Sequence, residues 1–108
     1  MGIIGNVLEF FRSVWEWVKR IWTRILNFFK NIVAWFKDPE RLQRLKQNKK
    51  VIATSIKERL DNGEYGVVNC LFNTATGEIE GEAEGIESEQ VDAETQRNFG
   101  NKEMIVLK

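Results

Sequence analysis

The chain has 108 residues, 43% of them apolar and 30% charged, and its 16 basic and 16 acidic side chains cancel formally. That length suits one modest domain with a limited share of buried surface. It holds no histidine, so the commonest general base near neutral pH is missing, and its one cysteine, Cys70, rules out an internal disulfide and any CxxC metal site. The neutrality hides a division. Residues 1–60 carry 13 Lys or Arg against 5 Asp or Glu, and residues 61–108 carry 3 against 11, which is +8 followed by −8. Such polarity favours attraction of the first half to an acidic surface, head-to-tail association, or an intramolecular match between the halves.

From Ile3 to Phe36 the apolar residues recur at helical spacing. With Ile4 as position a of a heptad, position a is Ile4, Phe11, Val18, Ile25 and Ile32; position d is Val7, Val14, Ile21, Phe28 and Trp35; position e is Leu8, Trp15, Trp22, Phe29 and Phe36. This predicts one long amphipathic helix over residues 1–37 with a basic opposite face. The stripe widens first at Phe10 and Trp17 and later, on the other side, at Leu26 and Val33. That drift suits a straight helix better than a two-stranded coiled coil. Charges at Glu9, Arg12, Glu16, Lys19, Arg20, Arg24 and Lys30 leave no apolar run long enough for a conventional span, and a cleavable signal peptide is not expected.

A helix of this kind is expected to lie in a membrane interface or to dock on protein. Phe11, Trp15, Trp17, Val18, Trp22, Ile25, Phe29, Trp35 and Phe36 are the expected membrane or partner contacts, with Arg12, Lys19, Arg20, Arg24 and Lys30 facing water and anionic lipid. The plainer reading is the core-facing side of an ordinary helix. Against it, the stretch carries more large apolar residues than the C-terminal half has to cover them.

Pro39, after Asp38, breaks the pattern and suits the first turn of a new helix. A second, basic amphipathic helix is predicted over 38–62, with Leu42, Leu45, Ile52, Ile56 and Leu60 on one face and Asp61-Asn62-Gly63 as its stop. Arg41, Arg44, Lys46, Lys49, Lys50, Lys57 and Arg59 read first as a solvated face. Phosphates of lipid come second, and nucleic acid last, because the acidic excess downstream argues against a broad basic surface.

Beyond Gly63 the period becomes two: Tyr65, Val67, Asn69 and Leu71 alternate with Gly66, Val68, Cys70 and Phe72. A turn at 73–77 and renewed alternation from Glu78 to Ile86 predict a hairpin. Gly81, Ala83 and Gly85 leave room for a bulky neighbour, while Glu78, Glu80, Glu82 and Glu84 read as a solvated edge rather than a calcium site. Residues 87–98 are expected to form a loop or short helix over Val91 and Phe99, and Met104–Leu107 a third strand. Cys70, alternating within a strand, reads as core rather than nucleophile.

The expected fold is α+β: a long N-terminal amphipathic helix, a second shorter one, and a small antiparallel sheet of about three strands, over segments 1–37, 38–62 and 63–108. The expected function is non-enzymatic. It is that of a peripheral membrane-binding protein, acting as an oligomer in membrane scaffolding or perturbation, cytoplasmic and at the inner face of a membrane. The alternative is a soluble structural or adaptor subunit whose aromatic stripe forms a homo-oligomer or complex interface. No cofactor, metal or small-molecule substrate is expected.

Overall fold

In the computed structural model, which describes residues 5–107, helix α1 (Val7–Trp17) starts at Asn6, whose side-chain oxygen accepts the Glu9 N–H at 3.1 Å. The chain turns extended at Val18 and runs as strand β1, Lys19–Leu26. Asn27 then caps α2, a π-helical segment (Phe28–Val33) that continues as an α-helical turn (Ala34–Phe36). Helix α3 (Pro39–Gln47) opens with Asp38 accepting the Glu40 and Arg41 N–H groups and Pro39 in the first turn. Strands β2 (Val51–Arg59), β3 (Tyr65–Asn73) and β4 (Glu78–Val91) follow, then helix α4 (Ala93–Phe99) and strand β5 (Met104–Leu107).

Among the described residues the five strands form one sheet in the order β1-β4-β3-β2-β5, with β1 parallel to β4 and the other pairs antiparallel. Helices cover both faces. On one, Phe11, Val14 and Val18 from α1 and its exit pack on Ile56, Val68, Cys70 and Phe72. On the other, Phe28, Ile32 and Phe36 of α2 and Phe99 of α4 pack on Val51, Ala53, Val67, Leu71 and Ile86. The central strand β3 is therefore buried on both sides from Gly66 to Asn73. Its buried polar groups are paired: the Thr54 hydroxyl donates to the Cys70 carbonyl at 3.2 Å, Ser55 donates to Asn69 Oδ1 at 2.9 Å, and Asn69 Nδ2 donates to the Asn31 carbonyl at 3.1 Å, tying α2 to the sheet.

The long helix expected over 1–37 is not present. Its expected first residues, Ile3 and Ile4, lie outside the described residues. From Lys19 the chain is a strand, because Ile21, Trp22, Thr23 and Ile25 are β-branched or aromatic types that lose side-chain freedom in a helix and suit a pleated surface. The steps of three and four from Val18 to Ile25 are helical in spacing, so periodicity alone misleads here. The availability of β4 to take the backbone groups decides for the strand.

The second helix expected over 38–62 ends at Gln47, and Ile52 and Ile56 lie in β2, another stretch rich in β-branched residues. Asp61-Asn62-Gly63 is not a helix stop but part of the turn between β2 and β3, where Gly63 takes φ +87°. The sheet of about three antiparallel strands becomes a five-stranded mixed one, enlarged by the two segments taken for helix. Only the second half of β4 lies between β1 and β3; Glu78, Glu80 and Glu82 are in its first half, which has β3 as its one strand neighbour, and a bulge at Gly81 (φ +73°) breaks the glutamate row. Glu80 then accepts from Asn73 at 3.0 Å, while Glu84 is half-buried beside β1.

Two glycines let α1 sit close. A Cβ at Gly66 would lie 2.9 Å from both Phe11 and Leu60, and one at Gly85 would lie 2.8 Å from Val18 and 3.2 Å from Trp15. Gly85→Ala is expected to destabilise the protein by about 1–3 kcal/mol, as overpacking does, measured by urea unfolding; an unchanged midpoint would show that α1 and β1 do not close on β4 as described.

Glu58 lies against Glu103, and one of its carboxylate oxygens is buried without a donor. Burial, then the hydrogen bond and repulsion between these two carboxyls, raise Glu58 to about 7 from an ordinary 4.5. The folded state thus holds the proton more tightly than the unfolded chain. The stabilisation is complete below about 4.5 and is lost as pH rises through about 7. Glu58→Gln, which cannot ionise, is expected to flatten the fall in Tm between pH 5 and 8; a parallel fall in wild type and variant would contradict the assignment.

Candidate interaction surface

Strand β1 closes one side of the sheet, and among the described residues no strand lies beyond it. The Leu26 carbonyl accepts the Asp92 N–H at 2.9 Å, which fixes the rotation of the strand at its C-terminal end. In a parallel ladder alternate residues turn both backbone groups to the same neighbour. In β3 the even residues serve β2, as the Leu60 N–H on the Glu64 carbonyl and the Thr74 N–H on the Lys50 carbonyl show, so Tyr65, Val67 and Asn69 take the backbone groups of Ser88, Ile86 and Glu84. Gly85 and Glu87 are left for β1, so Lys19, Ile21 and Thr23 bond toward β4 while Arg20 and Trp22 turn theirs outward; beyond Arg24, where the register is interrupted, Leu26 bonds toward β4 and Ile25 turns outward. The Thr23 hydroxyl donates to one of those outward carbonyls, that of Ile25, at 3.3 Å.

The side chains along this edge are apolar and exposed. Trp17 is 59% exposed, Trp22 57%, Phe29 56%, and Ile21 and Ile25 46% each. Single exposed apolar residues are ordinary, but five within thirteen residues flank this edge on both faces, Trp22 on one and Ile21 and Ile25 on the other, and mark it as an interaction site. An open, apolar edge strand is moreover a template for pairing.

The charges of this edge are answered from within the molecule. In the β1–β4 register Lys19 stands beside Glu84 and Trp22 beside Glu87, and the Arg24 guanidinium approaches the Glu89 carboxylate to 3.9 Å. The Arg20 guanidinium lies over the Trp15 ring at 5.2 Å. Burial raises Glu84 above the ordinary carboxylate range, opposed by the charges of Arg41 and Lys19. The basic and acidic halves of the chain thus meet side by side in the sheet.

The nine expected contact residues are divided by the fold. Trp17, Trp22, Ile25 and Phe29 are on the exposed edge, whereas Phe11, Val18 and Phe36 are buried in the two cores. Trp15 is half-buried and stacked on Phe11 at 5.2 Å; Trp35 is half-buried, edge-on to Phe36 at 4.9 Å and beneath the Arg41 guanidinium at 3.7 Å. Of the five expected cations, Lys19, Arg20 and Arg24 are on β1, while exposed Arg12 and Lys30 are on α1 and α2. Arg20, Trp22 and Ile25, whose backbone groups turn outward, were all expected contacts, whereas Ile21, 46% exposed on the same strand, was not. The doublets of polar and apolar residues over 19–26 follow the helical stripe and leave β-branched and aromatic composition as the strand's only signal.

An open hollow of about 570 Å3 lies between α1 and the β2–β3 turn, lined by Arg12, Trp15, Arg20, Glu58, Arg59 and Glu87 among others. Its arginines are largely engaged: Arg59 donates to the Gly63 carbonyl at 3.0 Å and to the Tyr65 hydroxyl at 3.1 Å, and Arg20 covers Trp15. Buried Cys70 is pushed up to about 11 by burial, which leaves it a protonated core thiol. Among the described residues no helix is long and apolar enough to cross a membrane.

No protein-family model matches the chain, and no curated protein or solved structure is significantly similar to it.

The placement of the four tryptophans is expected to show in their fluorescence. Trp22→Phe and Trp17→Phe should remove red-shifted, iodide-quenchable emission, while Trp35→Phe should remove blue-shifted, protected emission; the reverse assignment would contradict the exposed edge.

Proposed function

We propose that this protein is an interaction module that binds another polypeptide by strand addition along β1. The observation that carries this reading is the outward-facing backbone of Arg20, Trp22 and Ile25, set among exposed Ile21, Trp22 and Ile25. A partner strand supplies both what the backbone lacks and what the side chains expose: main-chain hydrogen bonds give affinity, and alternate side chains give specificity. Lipid supplies only the second. Pressing unpaired N–H and C=O groups into hydrocarbon is costly, and the glutamates beside β1 weaken its pull on anionic headgroups.

Peripheral membrane association is the second reading. It is favoured by exposed Trp17, Trp22 and Phe29 lying near Lys19, Arg24 and Lys30, a mixture of amphipathic aromatic and basic residues suited to a headgroup layer.

Selection of short randomised peptides on the immobilised full-length chain tests strand addition. Peptides that alternate β-branched or aromatic residues are expected, and their binding should fall at least about tenfold further on Trp22→Pro than on Trp22→Ala. Proline removes an outward N–H while leaving the ladder to β4 in place, as it does on natural edge strands. Selected peptides that bind Trp22→Pro as well as Trp22→Ala would overturn the reading. Flotation with anionic vesicles is the other arm: chain that floats at low salt, and fails to with Trp22→Glu, would transfer the assignment to lipid.

A further inference from the structure

We propose that the strand received by β1 is an acidic one, with a carboxylate opposite Arg20, a second opposite Arg24, and β-branched or aromatic residues between them. This rests on the strand-addition reading and names the chemistry of its partner. Every charged residue of β1 is basic: Lys19, Arg20 and Arg24. On its inner side the strand already has a neighbour of matching chemistry. In the β1–β4 register Glu84 stands beside Lys19, Ile86 beside Ile21, Glu87 beside Trp22 and Ser88 beside Thr23. Opposite charges and β-branched pairs set side by side stabilise neighbouring strands.

Arg20 is the exception. Its place in the register is taken by Gly85, and that residue has to be small: a Cβ there would lie 2.8 Å from Val18, 3.0 Å from Arg20 Cγ and 3.2 Å from Trp15. The fit of α1 against the sheet therefore forbids an acid on β4 at this position. Glu87, the next carboxylate along the same face, accepts from Asn62 Nδ2 at 3.1 Å. Among the described residues no carboxylate comes within ion-pair distance of Arg20, whose guanidinium lies over the Trp15 ring at 5.2 Å. Arg24 is only loosely answered, 3.9 Å from Glu89 with its side chain 77% exposed.

The outward backbone coincides with the unanswered charge. Arg20 and Trp22 turn their main-chain groups away from β4. A strand seated on them makes main-chain bonds at this point and sets the side chain opposite Arg20 on the same face as the guanidinium, with Cβ atoms about 5 Å apart. A glutamate in that place supplies what β4 cannot. Ile21, on the other face, takes a β-branched neighbour as it does from Ile86, and exposed Trp22 takes an aromatic one. The order acid, β-branched, aromatic, β-branched, acid reads the same in either direction, so it suits a parallel or an antiparallel approach. A basic strand would set like charges side by side. A second copy offers no carboxylate from β1 or β5, since β1 has none and β5 is Met104–Leu107.

The probe is the synthetic peptide Thr-Glu-Val-Tyr-Val-Glu-Thr, blocked at both ends and titrated against the full-length chain beside its counterpart with glutamine in both glutamate places. The acidic peptide is expected to bind about fivefold more tightly at low salt, and the preference should shrink at high salt. Arg20→Gln should remove most of the preference and Arg20→Lys should keep it, with the glutamine peptide binding all three proteins alike.

Equal binding of the two peptides, a preference that Arg20→Gln leaves intact, or no binding of either would overturn the acidic assignment. If the two bind equally, and both bind Trp22→Pro more weakly than Trp22→Ala, strand addition stands and only the chemistry of its partner is wrong. If neither they nor peptides selected from a randomised pool bind the edge, both readings fall. Sedimentation of the chain alone is the remaining arm: a dimer that Trp22→Pro dissociates and Trp22→Ala does not would assign the edge to a second copy instead.

Discussion

Parallel pairing of β1 with the second half of β4 is the contact from which the rest of the surface and much of the core follow. It gives Lys19–Leu26 backbone partners that would otherwise have come from a helix, and it places a basic strand beside an acidic one. The same contact sets the route of the chain. Helix α1 packs on one face of the sheet and α2 on the other, so the chain must pass around the sheet's margin between them. Strand β1 is that passage. An edge strand made in this way has one neighbour, and the side turned from β4 keeps its hydrogen-bonding groups.

Packing within the sheet reinforces the arrangement. Strand β3, at the centre, is covered by α1 through Val68, Cys70 and Phe72 and by α2 through Val67 and Leu71, which is why both of its faces had to be apolar or internally hydrogen-bonded. Asn69 meets this demand by joining Ser55 in the neighbouring strand to the Asn31 carbonyl in α2. Where Phe11, Trp15 and Val18 approach the sheet, Gly66 and Gly85 provide the room. The large aromatics of the first third of the chain are therefore of two kinds. Phe11, Phe28 and Phe36 build the cores, whereas Trp17, Trp22 and Phe29 are left along the edge because the chain there is crossing between faces rather than lying on one.

Electrostatics alters the meaning of the basic residues in the same way. On an isolated helix Lys19, Arg20 and Arg24 would form an open cationic face. In the sheet they have Glu84, Glu87 and Glu89 as lateral neighbours, or an indole beneath them. A surface that is apolar, locally balanced in charge and provided with unpaired backbone groups is better suited to another polypeptide than to an anionic layer.

The α+β class, the break at Asp38-Pro39, the period-two alternation after Gly63 and the polarity of charge were legible from the chain itself, since each depends on local chemistry: a ring that fixes φ, a switch in hydrophobic period, a count of charges. What the local pattern could not decide was the conformation of 19–26 and 51–59. Val18, Ile21, Trp22 and Ile25 follow a helical stripe although their β-branched and aromatic types suit a strand, and Ile52 and Ile56 fit either. In both segments the outcome depends on which other part of the chain takes the backbone groups, β4 in one case and β3 with β5 in the other. The residues able to make an interaction surface were thus present in the sequence, but only the tertiary pairing determined which of them are core, which are edge, and where the unpaired backbone lies, because hydrogen-bond partners distant in sequence leave no trace in its periodicity.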